Sequence, residues 1–85
     1  MKKVNFKKIA IKDIEGREQK VDVSQMLGNQ LYMEGQNIEE CELGKRIYFA
    51  TGDVELTDKE IAIVKQFTNR YSYLVRTALE KALTD

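Results

Sequence analysis

The residues of this chain able to do chemistry are a lone thiol, fourteen carboxylates and fourteen cations, with no histidine among its 85 residues. Without imidazole the chain lacks the commonest general base, the Ser-His and Cys-His nucleophile pairs, and the usual zinc ligand sets. Cys41 stands between Glu39, Glu40 and Glu42. Their negative charge disfavours the thiolate, so Cys41 reads as a small packing residue rather than a nucleophile. One cysteine also allows no internal disulfide, which fits a reducing compartment.

The acidic stretch "NIEECE" lacks the ordered oxygen spacing of a calcium loop, and "TGDVE" is too short to be one. The run "LGKR" ends like a phosphate-binding loop, but that pattern needs glycine where Glu39 stands and Ser or Thr where Arg46 stands. The chain is therefore read as non-enzymatic, with no cofactor and no metal.

What remains is charge and surface. Net charge is zero, but residues 1–20 hold seven basic and three acidic residues, while residues 21–60 hold three basic and nine acidic. The basic segment contains Lys7, Lys8, Lys12 and Arg17, which are candidate phosphate contacts for a lysine-rich ribbon on nucleic acid. The competing reading is that these lysines guard exposed strand edges. A helix-turn-helix reading of residues 24–43 is disfavoured because Glu39, Glu40 and Glu42 would face phosphates. No apolar run approaches the roughly 18 residues of a membrane span, and lysines at 7, 8 and 12 interrupt any leader-like region. The expectation is a cytoplasmic protein without membrane contact.

The elements that must position these groups are legible from punctuation and period. "VNFKKIAIK" and "EQKVDV", separated by "DIEG", predict a β-hairpin over 3–23, with Gly16 at positive φ in the turn. Val4 and Phe6 are out of phase with Ile9 and Ile11. A bulge at Lys7–Lys8 or a strand buried on both faces reconciles them. Ser24 is the predicted cap of a helix over 24–34 that Gly35 ends, despite a cost of about 1 kcal/mol for Gly28. Asn37 caps a short helix or turn that Gly44 stops, and "RIYFATGDVEL" reads as two short strands around Thr51-Gly52-Asp53.

The strongest signal is "LTDKEIAIVKQF". Thr57 and Glu60 form a capping box, and Leu56 and Ile61 occupy the positions of a hydrophobic staple. From Ile61 through Val64, Phe67, Tyr71, Leu74, Val75, Ala78, Leu79 and Ala82 the apolar residues keep one helical phase. This predicts one helix over 58–83, with a kink near Asn69 as the alternative. Unbroken, it would measure about 39 Å, longer than the roughly 30 Å diameter of a globule of this length. The overhang is a candidate protein interface, carried by Arg70, Tyr73, Arg76 and Leu83.

"IKDIEGREQKVDVSQMLGNQLY" followed by "GKRIYFATGDVELTDKEIAIV" resembles a group of short uncharacterised proteins carried by prophages and mobile elements of gut bacteria. The resemblance rests on the order of hairpin, "LGNQLY" and "ELTDKE". It implies a phage or integrated-element setting and protein–protein work, and transfers no active-site residue. The expected fold is a single α+β domain over 1–85: an N-terminal hairpin, a middle helix, a second short strand pair, and a long C-terminal amphipathic helix on the sheet. The expected function is an assembly protein that self-associates through that helix. The alternative is a small nucleic-acid-binding regulator using the basic hairpin.

Overall fold

A computed structural model describes residues 1–84. Strand β1 (Lys2–Val4) is followed by the hairpin of β2 (Ile9–Lys12) and β3 (Glu18–Val21). Helices α1 (Ser24–Glu34) and α2 (Ile38–Phe49) come next, then β4 (Val54–Leu56), α3 (Asp58–Phe67), a 3-10 turn over Thr68–Arg70, and α4 (Tyr73–Thr84). The class is α+β. The four strands form two separate antiparallel pairs, β1 with β4 and β2 with β3. One apolar cluster joins the elements, with Phe6, Ile9, Leu27, Leu31, Leu43, Ile47, Leu56, Val64 and Leu79 all buried.

The phase slip between Val4/Phe6 and Ile9/Ile11 marks a turn instead of a bulge. Asn5 nucleates it: its side chain accepts the Lys7 N–H at 3.0 Å, and its carbonyl accepts the Lys8 N–H at 3.1 Å. The chain thereby leaves one strand pair and enters the other, and Val4, Phe6 and Ile9 are all buried. The predicted hairpin survives over β2 and β3. Gly16 sits in its turn at φ +83°, while Asp13 accepts backbone N–H groups from Glu15 and Arg17 at 3.0 and 2.9 Å.

Ser24 is not the cap of α1 but its first helical residue. Asp22 Oδ1 accepts both the Ser24 N–H and its hydroxyl, at 2.9 and 2.6 Å. Those bonds hold the Asp22 carboxyl below its ordinary pKa, the Ser24 hydroxyl contributing most. Asn37 does cap α2, accepting the Glu40 N–H at 3.0 Å.

The larger correction lies after that cap. Gly44 does not stop the helix, and residues 46–49, expected as a strand, are its last turn. Strand propensity in "RIYF" loses to helical packing, because Leu43 and Ile47, four residues apart, are both buried. A Cβ added at Gly44 would stand 2.6 Å from the Gly28 carbonyl oxygen, and one at Gly28 would stand 2.7 Å from Tyr48 Cβ. The two helices therefore touch through bare backbone. In consequence the Thr51-Gly52-Asp53 bend joins a helix to β4, and β4 finds its partner in β1: Lys2 opposite Leu56, Val4 opposite Val54.

The capping box of α3 is present as read. Thr57 Oγ1 accepts the Glu60 N–H at 3.2 Å, and Glu60 Oε1 accepts the Thr57 N–H at 3.0 Å. The same carboxylate pairs with Arg46 of α2, which also donates to the Glu55 carbonyl at 2.6 Å. Partial burial raises the Glu60 pKa, but the Thr57 N–H and the Arg46 guanidinium outweigh it and hold the group below its ordinary value.

The single helix over 58–83 is overturned. It breaks at the 3-10 turn, beside Asn69, and Tyr71 is fully extended at ψ 161°. The 10-residue α3 and the 12-residue α4 measure about 15 and 18 Å, each shorter than the narrowest 21 Å dimension of the molecule. The overhang, and with it the main reason to place an interface there, is gone. The extended residue also rotates the phase of α4. Leu83, outside the predicted apolar arc, is 3% exposed, whereas Leu74, within it, is 54% exposed.

Two stability tests follow from these contacts. Alanine at Gly28 or Gly44 is expected to lower stability in urea by about 1–3 kcal/mol, because the clash outweighs the roughly 1 kcal/mol gain in helix propensity. Glu60, with its depressed pKa, contributes stability above its ordinary value near 4.5, lost as pH falls through its folded value. Glu60→Gln should therefore be less stable than the parent at pH 7, with the gap closing as pH falls below 4.5. A gap that persists at low pH would assign the loss to packing.

Candidate functional site

Three surfaces carry the exposed chemistry. The first is the groove between the β2–β3 hairpin and α4, about 620 Å³ in volume. From α4 it takes Leu74, Thr77, Ala78, Lys81 and Ala82, one stripe at i, i+3, i+4, i+7 and i+8. Opposite run β2, Lys3 and Val4 of β1, and Asn5 and Lys8 of the turn between the two strands. Lys3, Lys8, Lys12 and Lys81 rim it, and among the described residues Glu18 is the one carboxylate in its lining. Among the described residues Lys8, Lys12 and Lys81 make no ion pair, while Lys3 lies 3.8 Å from Glu55.

This placement divides the four cations expected to act together. Lys8 and Lys12 line the groove. Lys7 turns away, its Nζ 3.4 Å from Ser24 Oγ and 3.8 Å from Asp22. Arg17 closes the hairpin turn on Asp13 and Glu15, at 3.2 and 3.0 Å. Those donors keep the Asp13 carboxyl below its ordinary pKa, the Arg17 N–H foremost. The cations that do join Lys8 and Lys12 are Lys3 and Lys81, 78 positions apart in sequence. No spacing rule links such a pair.

The second surface is the outer face of the α1–α2 hairpin. Gly28 and Gly44 floor a shallow cleft of about 300 Å³ walled by Asn29, Tyr32, Lys45, Tyr48 and Phe49. The Tyr48 and Phe49 rings meet edge to face with centroids 4.9 Å apart, and the Lys45 ammonium lies 5.7 Å from the Tyr32 ring centre. Met26 and Met33 extend the face, on the same stripe of α1 as Asn29. Sequence reading missed this surface, because assigning residues 46–50 to a strand scattered its aromatics. The available signal was Gly28 and Gly44, small residues in two neighbouring helical segments.

The third is the surface around the α3–α4 break. Of the four residues expected to form an interface, Leu83 is buried and so excluded from it. Tyr73 is 69% exposed with the Arg76 guanidinium 5.8 Å from its ring centre, while Arg70 lines a separate polar depression with Gln30, Glu34 and Gln66. Beneath them Gln30 braces the break. Its amide donates to the Phe67 carbonyl at 2.8 Å, and its oxygen accepts the Tyr71 hydroxyl at 2.6 Å.

Among the described residues no three His, Cys, Asp or Glu side chains gather as metal ligands, and no helix is long and apolar enough to cross a membrane. Cys41 is half-buried, its thiol 3.5 Å from the Tyr32 carbonyl oxygen. No protein-family model, curated protein or solved structure matches the chain.

Burial, with the charge of Glu34 second, pushes the Tyr71 hydroxyl up to about 12. Since the folded pKa lies above the unfolded value near 10, burial of the neutral Tyr71 phenol is fully favourable below pH 10, and that contribution is lost as pH rises toward 12. An ultraviolet titration should show one of the four tyrosines ionising last. Gln30→Ala should bring that step down and cost about 1–2 kcal/mol of stability.

Proposed function

We propose that this protein is a non-enzymatic interaction or assembly protein that pairs with a second copy of itself through the outer face of α1 and α2. The observation that supports this reading is the exposure of large apolar side chains on one face: Phe49 73%, Met33 78%, Met26 52% and Tyr32 49%. At about 200 Å² for a large side chain, these four expose roughly 400–500 Å², near the upper end of what a monomer leaves bare. Tyrosine, phenylalanine and methionine are also the types enriched in interface cores.

A second copy is the occupant that fits. The face carries Lys45 beside Glu42 at 3.7 Å and no block of one charge, so it is compatible with meeting itself across a two-fold axis. Doubling the patch gives roughly 800–1,000 Å² of buried surface, below the roughly 1,200 Å² at which stable specific interfaces begin, so a weak, reversible dimer is expected. The steering by opposite charge that the uneven sequence suggests has no part at this face. The α4 end, with Tyr73 and Arg76, is the alternative seat for self-association.

Light scattering behind size-exclusion chromatography tests this. The parent should pass from the chain mass toward twice that mass as concentration rises, with little response to salt. Phe49→Asp should remain monomeric, and Tyr73→Asp should dimerise like the parent. Dissociation by the Tyr73 change instead would move the interface to α4. A parent that stays monomeric at every concentration would sink the proposal.

A further inference from the structure

We infer that the groove between β2 and α4 is the seat of an extended acidic peptide segment, which adds to the free edge of β2 as a third strand. This site is separate from the proposed dimer face and does not depend on it.

The first argument is the state of the strand edge. Among the described residues β2 pairs with β3 alone. In its register Ala10 stands opposite Lys20 and Lys12 opposite Glu18, and the Asp13 N–H donates to the Arg17 carbonyl at 2.9 Å. Antiparallel pairs alternate, so 13/17, 11/19 and 9/21 exchange hydrogen bonds, while Ala10 and Lys12 direct their backbone N–H and C=O away from β3. Both residues line the groove. So do Ile9 and Ile11, and odd and even positions together mark a groove that runs along the strand edge rather than over one face. An incoming strand would find two outward-facing residues to pair with.

The second argument is chemical complementarity. The inner wall is apolar, with Val4, Ile11, Leu74 and Ala78, and the rim is cationic, with Lys3, Lys8, Lys12 and Lys81. A strand presents alternate residues to opposite sides. A segment alternating small apolar and acidic residues would lay the first set against Leu74 and Ala78 and the second toward the lysines. Nucleic acid fits less well. The groove contains no aromatic ring on which a base could stack, and a phosphate backbone cannot complete a strand edge.

The test uses a fluorescein-labelled decapeptide of alternating glutamate and valine as the probe. Saturable binding is expected by anisotropy, weakening with salt and falling roughly tenfold or more in the Lys8→Glu/Lys12→Glu double variant. Both positions are exposed, and circular dichroism would verify that the variant keeps its fold. In the complex, amide hydrogen exchange at Ala10 and Lys12 should slow, and a peptide with proline at every second position should not bind. No binding up to about 1 mM peptide, indifference to the lysine reversals, or unchanged exchange at Ala10 and Lys12 would each overturn the inference. So would tighter, lysine-dependent binding of a labelled oligothymidylate, which would return the groove to the nucleic-acid reading.

Discussion

Two glycines meeting across a helix pair set the geometry of this protein. With no Cβ at Gly28 or Gly44, α1 and α2 approach until backbone faces backbone, closer than any side chain would permit. That approach orients everything else on the pair. Leu27, Leu31, Leu43 and Ile47 are carried to the inner side and buried. Tyr32, Tyr48 and Phe49 wall the outer cleft. Arg46, one residue before Ile47, reaches β4 and α3, where it holds the Glu55 carbonyl and the capping carboxylate of Glu60. On the other helix Gln30 reaches the Phe67 carbonyl and the Tyr71 hydroxyl. The helix pair thus grips both ends of α3, so one contact propagates into the position of the C-terminal third of the chain.

The break between α3 and α4 is the second determinant, and it produces the groove. A continuous helix would have kept one apolar stripe on one line. With Tyr71 extended, α3 covers α1 and β4, whereas α4 swings onto β1 and β2. Its register rotates with it, so that Leu79 and Leu83 enter the core while Leu74, Ala78 and Lys81 face the strands across open space. The edge of β2 is left unpaired beside that stripe because β1, joined to β2 by the Asn5–Lys8 turn, pairs with β4 instead. Positive charge along such an edge discourages indiscriminate strand addition and still admits a segment of opposite charge.

Short-range chemistry was legible and long-range chemistry was not. The Thr57–Glu60 box, the Asn37 cap, the end of α1 at Gly35 and the positive φ at Gly16 all depend on neighbours within four residues, and all are in place. Two failed readings were local, the Ser24 cap undone by Asp22 and the Lys7–Lys8 bulge replaced by the Asn5 turn; the others were decided by distant partners. "RIYF" became helix because Gly28 lay ready to receive Tyr48. The hairpin lost its first strand to β4, fifty residues away. The expected interface lost Leu83 once the helix changed phase. The cation set shows the same division. Lys7 and Arg17 found carboxylates close in the chain or fold, and Lys3 and Lys81 replaced them beside Lys8 and Lys12.

The sequence by itself determined the α+β class, the starts of α2 and α3, and the hairpin turn, because capping and turn formation are satisfied by side chains a few bonds from the backbone they serve. It also carried the poor helix formers Thr68, Asn69 and Ser72, among which the long helix gives way. Only the tertiary structure decided that it gives way there, which strands pair, and which lysines share a groove. Those outcomes turn on burial against residues tens of positions away, where the free energy of close packing outweighs the fraction of a kilocalorie by which one local conformation is preferred over another.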